Sequence, residues 1–167
     1  MNTKTRTLTV TALMTAVALG IFVAEAQIPF FTWIPRIKLG LANLVTMVGL
    51  YTVGPVGTVV VGVLRVVLVG FTFGNVFSMW YALSGCILSL VCMILLKRCR
   101  RFGILGVSVA GGVAHNIGQL CMAAFVVESG SVFAYLPALL VAGVVAGSII
   151  GLLGGLVVER VEGLFSR

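Results

Sequence analysis

Three polar side chains, His115, Asn116 and Gln119, lie in the run Gly111-Gly-Val-Ala-His-Asn-Ile-Gly-Gln119, inside residues 103–127 that are otherwise apolar or small. A hydrogen-bonding group placed in hydrocarbon without a partner costs on the order of several kcal/mol. Such groups therefore face other helices or a cavity, and an ionisable residue at membrane depth points to a functional site. Ser108, Gly111, Gly112, His115 and Gln119 recur at intervals of three and four, which predicts one shared helix face. That face can serve interhelical hydrogen bonding or line a ligand pocket. Arg65 adds a permanent charge. It lies nine residues beyond Val56, roughly 13 Å along a helix, with Gly62 and Thr58 on its own face. A guanidinium there can form a structural ion pair, with Glu25 as partner, or bind an anionic group through a charge-assisted fork.

Further polar residues accompany these. The segment Pro29-Phe-Phe-Thr-Trp-Ile-Pro-Arg-Ile-Lys38 mixes interfacial aromatics with two prolines that stiffen it. It also carries Arg36 and Lys38, which a lid over an outward-facing site would explain and an ordinary interfacial loop would tolerate. Asn43 and Asn75 fall near the same outer level. Small residues repeat every fourth position at Ala12, Ala16, Gly20 and Ala24, and again at Gly143, Gly147, Gly151 and Gly155. Such ridges let another backbone approach closely, either inside the bundle or on a partner subunit.

The elements that must hold these residues are membrane helices. The 167 residues are 60% hydrophobic and 9% charged, with a mean hydropathy of +1.23, which is too apolar for a soluble domain. The expectation is an all-α integral membrane protein of one domain over residues 1–167, with six transmembrane helices near 8–28, 39–53, 56–73, 77–96, 103–127 and 136–158. Lys4 and Arg6 before the first run resemble a signal peptide, but that run is about 20 residues long and a retained helix fits it better. With the N-terminus in the cytoplasm, Lys4, Arg6, Lys97, Arg98, Arg100, Arg101, Arg160 and Arg167 lie inside and only Arg36 and Lys38 outside. The positive-inside rule thus places both termini in the cytoplasm.

Composition also excludes several classes. The net charge of +7 comes from residues flanking apolar spans, so nucleic acid is not an expected partner. Cys86, Cys92, Cys99 and Cys121 lack a CxxC spacing and read as small apolar fillers, with no metal site expected. No internal repeat is evident. There is no Gly-x-x-x-x-Gly-Lys-[Ser/Thr] loop, so any ATP hydrolysis must come from another subunit.

The string Pro35-Arg-Ile-Lys-Leu-Gly-Leu-Ala-Asn43, Arg65, Ser84-Gly85 and the segment Gly106-Val-Ser-Val-Ala-Gly-Gly-Val-Ala-His-Asn-Ile-Gly-Gln-Leu120 resemble the bacterial Gx transporter family. That family is also labelled heptaprenyl diphosphate synthase component I. The six-helix layout, Ala12-x-x-x-Ala16 and the loop before the second helix resemble, more distantly, substrate-binding subunits of energy-coupling-factor vitamin importers. That second resemblance implies a bundle of their kind in the bacterial plasma membrane. It also implies docking of the surface around Ala12, Ala16 and Gly20 on a transmembrane coupling subunit served by ATPases, and ligand entry beneath the first loop. The two labels imply different activities. Prenyl diphosphate synthases hold Mg²⁺ against diphosphates with Asp-rich motifs, whereas this chain has no Asp and four dispersed Glu. It is expected to be non-enzymatic, without a cofactor, and at most a non-catalytic partner of such a synthase. The expected role is capture of a small polar or anionic solute from outside, with Arg65, His115, Asn116, Gln119, Arg36, Lys38, Asn43 and Glu25 as site residues.

Overall fold

The computed structural model describes residues 3–27, 42–99 and 101–165. Six α-helices account for nearly all of them: α1 (Thr3–Gln27), α2 (Ala42–Thr52), α3 (Pro55–Phe73), α4 (Val76–Cys99), α5 (Ile104–Val127) and α6 (Leu136–Phe165). A 3₁₀ turn, Gly130–Tyr135, leads into α6. The expected breakpoints produce the turns. Gly54 takes φ 89, a left-handed conformation that glycine adopts without strain. Pro55 then opens α3 at the position where a missing N–H costs nothing. At the start of α4, Asn75 Oδ1 accepts from the Ser78 N–H at 2.8 Å, and Ser78 Oγ accepts from the Asn75 N–H at 2.9 Å. This reciprocal cap fixes the helix start, so Asn75 serves the turn.

Four helical segments, Pro55–Phe73, Val76–Cys99, Ile104–Val127 and Gly130–Val161, are long and apolar enough to cross a membrane. Helix α1 carries a shorter apolar stretch, Leu8–Ala24. Helix α2 has 11 residues, about 16 Å at 1.5 Å per residue, or roughly half of a 30 Å hydrocarbon layer. Its first described residue adjoins residues 28–41, so residues 39–41 of the expected second span lie outside the described residues.

Helices α2, α3, α4, α5 and α6 contact one another in that order, and α6 returns to α2, which makes a closed ring; α1 packs outside it on α2 and α3. One end of the ring is basic: Arg98, Arg101 and Arg160 are exposed there. Lys97 donates to the Leu50 carbonyl at 2.6 Å and sits 4.5 Å from the Tyr51 ring centroid. It thereby caps the last turn of α2, where carbonyls lack helical partners and a cation is favoured.

The packed interior belongs to the basic half. Met47, Leu50, Val66, Cys86, Leu90, Met93, Val107 and Ile150 form the main core cluster, drawn from all five ring helices. Ala18 joins Val45 and Val61 in a second cluster beneath α1. In the other half, burial stops. No residue of α3 beyond Val66, of α4 before Gly85, of α5 beyond Leu120 or of α6 before Gly143 is buried.

The two small-residue ridges have different fates. On α6, a side-chain carbon at Gly147 would lie 2.7 Å from Val109 Cα, and one at Gly143 3.0 Å from Val113 Cα. The α6 ridge is thus filled by the backbone of α5, an internal contact. On α1, Ala12, Ala16, Gly20 and Ala24 are all exposed, and nothing lies within 4 Å of a carbon added at Gly20.

Candidate functional site

The level at which burial stops is where the polar residues gather. Arg65 comes from the middle of α3 and is 8% exposed. Gly62, one turn earlier, lets α4 approach, since a side-chain carbon there would lie 3.0 Å from Cys86 Sγ. The guanidinium consequently reaches hydrogen-bonding range of the Cys86 thiol. It also lies close enough to His115 on α5 to act on the imidazole electrostatically, and the Gly85 carbonyl of α4 faces the same ring. His115 Nδ1 is buried with no hydrogen-bond partner.

Gly85 is the reason α4 and α5 come so close at this level. A carbon added there would meet Gln119 Cγ at 2.7 Å, the His115 carbonyl oxygen at 2.9 Å and His115 Cε1 at 3.1 Å. Ser84 Oγ, alongside, donates to the Gly118 carbonyl at 3.0 Å. Arg65, Cys86, Gly85, His115 and Gln119 therefore form one cluster between α3, α4 and α5.

Asn116 does not join it. Its Nδ2 donates to the Leu139 carbonyl of α6 at 2.7 Å and lies 3.1 Å from the place of a Gly143 side-chain carbon. One residue advances a helix by about 100°, so Asn116 faces α6 where His115 faces α4. The shared face expected on α5 is in fact two edges. Gly111, His115, Gly118 and Gln119 meet α4, whereas Gly112 and Asn116 meet α6. Asn116 is an interhelical tie.

Asn43 is half-buried in the first turn of α2. Its height follows from the contact of Gly49 with Thr58 Oγ1, 3.3 Å from a carbon at Gly49. Asn43 stands six residues above Gly49, and Arg65 seven above Thr58, or about 9 and 10 Å. The two share a level. Glu25 is in the last turn of α1, and its side chain lies outside the described residues, so a pairing with Arg65 does too. Arg36 and Lys38 also lie outside them.

Two residues to which the sequence reading gave no site role, Gly85, quoted only for the resemblance, and Cys86, read as an apolar filler, belong to this layer, and Thr46, which it did not name, lies about one helical turn on the basic side of Asn43. Thr46 is 4% exposed, and its hydroxyl, like His115 Nδ1, is buried without a partner. A usable signal was the spacing Asn43, Thr46, Leu50, which sets two polar residues on the stripe of α2 whose basic end is fully buried core. No group of three His, Cys, Asp or Glu able to hold a metal occurs among the described residues.

A separate, open groove of about 450 Å³ runs over the outer side of α4 and α5, lined by residues such as Ile87, Leu88, Val91, Met122 and Phe125. It is apolar and touches neither Arg65 nor His115.

These features define an all-helical protein with four segments long and apolar enough to cross a bilayer and a polar layer at the level where its packed core ends. More particularly, the chain belongs to the family described as heptaprenyl diphosphate synthase component I, whose model matches residues 14–157. This is the family that its motifs resemble. No curated protein and no solved structure matches the chain.

Proposed function

We propose that the chain is a single-domain, six-span subunit of a bacterial plasma membrane that captures a small polar or anionic solute from the outer side for import. One observation carries this reading: the packed core stops at a polar layer built from Arg65, His115, Gln119 and Asn43, and nothing on α3–α6 is buried beyond it. A protein that used these residues only to pack helices would be expected to continue its core on both sides of them. In the proposed mechanism, Arg65 anchors an anionic group through charge-assisted hydrogen bonds, and His115, Gln119 and Asn43 bind the remaining polar edges.

Arg36 and Lys38 stand before α2 in the chain and attract anions to the outer side, where the segment carrying them closes over the bound solute. Both termini lie in the cytoplasm under the positive-inside rule. Reorientation is driven by a separate ATP-hydrolysing module, since this chain has no phosphate loop. Its coupling subunit docks on the exposed ridge Ala12, Ala16 and Gly20. In this reading the chain has no catalytic role and holds no cofactor.

The test is solute uptake and binding by Arg65→Ala and Gln119→Ala variants in membranes. Loss in both supports the assignment; unchanged uptake and binding in both ends it. The description of the family favours a second reading, a non-catalytic membrane component of heptaprenyl diphosphate synthase. Co-purification with a soluble synthase, and altered product chain length on deletion, would establish that reading instead.

A further inference from the structure

We propose that the basic rim of α4 and α5 binds an anionic phospholipid, with its phosphate on Arg98 and Arg101 and an acyl chain along the outer side of α4. This site is separate from the polar layer around Arg65. It goes beyond the solute reading and does not depend on it.

The first observation is a stripe on α4. Leu88, Val91, Leu95 and Arg98 follow at intervals of three and four, and all are exposed, so they share one face. On a helix long and apolar enough to cross a bilayer, an exposed apolar face is one that meets lipid. Leu88 and Val91 also line the open apolar groove between α4 and α5. Arg98 therefore ends the same stripe, seven residues or about 10 Å from Val91.

The second observation is what gathers at the foot of that stripe. Ser84 meets Gly118 and Cys92 meets Ala110, so α4 and α5 run antiparallel. A carbon added at Gly111 of α5 would lie 2.6 Å from Met93 Cγ. Gly106, five residues before Gly111, is thus level with Arg98, five residues after Met93. Phe102 packs on Gly106, its Cδ1 3.4 Å from the place of a side-chain carbon there, and its ring is half exposed. Arg101 precedes it in the chain and is exposed. Two guanidinium groups and an interfacial aromatic accordingly share one rim at the end of a lipid-facing apolar stripe.

Depth fits a lipid. Half of a hydrocarbon layer is about 15 Å, and Arg98 stands ten residues, also about 15 Å, from Leu88. An acyl chain of one leaflet, starting at the rim, runs past Leu95 and Val91 into the near part of the groove. Charge complementarity selects the headgroup. A zwitterionic lipid brings an ammonium that two fixed cations repel, whereas a lipid of net negative charge meets both arginines without one. Lys97 is turned away, to the Leu50 carbonyl of α2. Arg160 is exposed on α6, which makes it a control.

The experiment is thermal unfolding of the purified protein in uncharged-detergent micelles carrying phosphatidylglycerol or phosphatidylcholine with the same acyl chains. A bound ligand raises the unfolding temperature. Phosphatidylglycerol should protect the wild type at a lower mole fraction than phosphatidylcholine, and inorganic phosphate should not protect it. The double variant Arg98→Gln/Arg101→Gln should need about thirtyfold more phosphatidylglycerol for the same shift. Arg160→Gln should respond as wild type. Val91→Trp, which fills the near part of the groove, should weaken protection by both lipids. All four positions are exposed, so the variants should fold.

Equal protection by the two lipids, or an unchanged preference in the double variant, overturns the headgroup assignment. A loss in Arg160→Gln as large as in the double variant would reduce the effect to overall charge. Full protection by inorganic phosphate would leave an anion site without a lipid. Either result overturns the proposal. Unchanged protection of Val91→Trp removes the chain from the groove.

Discussion

Gly85→Ala tests both the packing and the site with one methyl group. In the structure that methyl would sit 2.9 Å from the His115 carbonyl oxygen and 2.7 Å from Gln119 Cγ. Ordinary contact begins near 3.4 Å, so α4 and α5 must part by about 0.5 Å at this level, because a helix backbone does not yield as a flexible side-chain tip does. Overpacking of this kind costs about 1–3 kcal/mol. Alanine recovers up to about 1 kcal/mol of helix propensity over glycine. The net effect is a loss of up to about 2 kcal/mol, or a few degrees in unfolding temperature at about 2–4 °C per kcal/mol for a chain of this length. His115 and Gln119 move with the α5 backbone, so solute binding should weaken about fivefold, the worth of one impaired hydrogen bond. Thermal unfolding in micelles and binding titration read the two effects separately. Gly155→Ala is the control: its nearest neighbour, Ile104 Cγ2, is 4.0 Å away, and that variant should be neutral or slightly stabilised. A Gly85→Ala protein as stable as wild type, with unaltered binding, would refute the close approach of α4 and α5.

Other outcomes are expected. Asn116→Ala should lower stability by about 0.5–1 kcal/mol through loss of its bond to the Leu139 carbonyl, measured by unfolding, while solute affinity stays within about twofold. Gly147→Val should disrupt the α5–α6 contact and cost about 1–3 kcal/mol or more, read as reduced yield and lowered unfolding temperature. Lys97→Met should uncap α2 and cost about 1–2 kcal/mol, with hydrogen exchange rising first at residues 48–52. Ala16→Leu, on an exposed ridge, should leave unfolding unchanged and impair uptake in whole cells; normal uptake would separate that ridge from partner docking.

Sequence alone was informative where one residue type forces one environment. Arg65 and His115, set in apolar runs, had to meet something polar, and they do lie together. The turn at Gly54-Pro55 and the start of α4 at Asn75 follow from local backbone chemistry, which acts over three or four residues. What local chemistry does not specify is which neighbour each helix edge meets. His115 and Asn116 are adjacent, equally polar and equally costly in lipid, yet one faces α4 and the other α6, because the ring order is a tertiary property. The same ambiguity applied to the glycine ridges: identical spacing on α1 and α6 leads to an exposed surface on one and a filled interface on the other. Thr46 was passed over because a helical threonine ordinarily satisfies itself, and only its failure to do so distinguishes it.

The contact of α2 with α6 bears on how the chain is assembled. Helix α2 is made early, yet part of its apolar surface rests on Gly154 near the end of α6. During synthesis that surface waits, unshielded by α6, until residue 154 has left the ribosome. Closure is thus a late, long-range event of the slow, non-local kind. A chain cut short before residue 154 would strand α2 without its wall, an obvious target for membrane quality-control proteolysis.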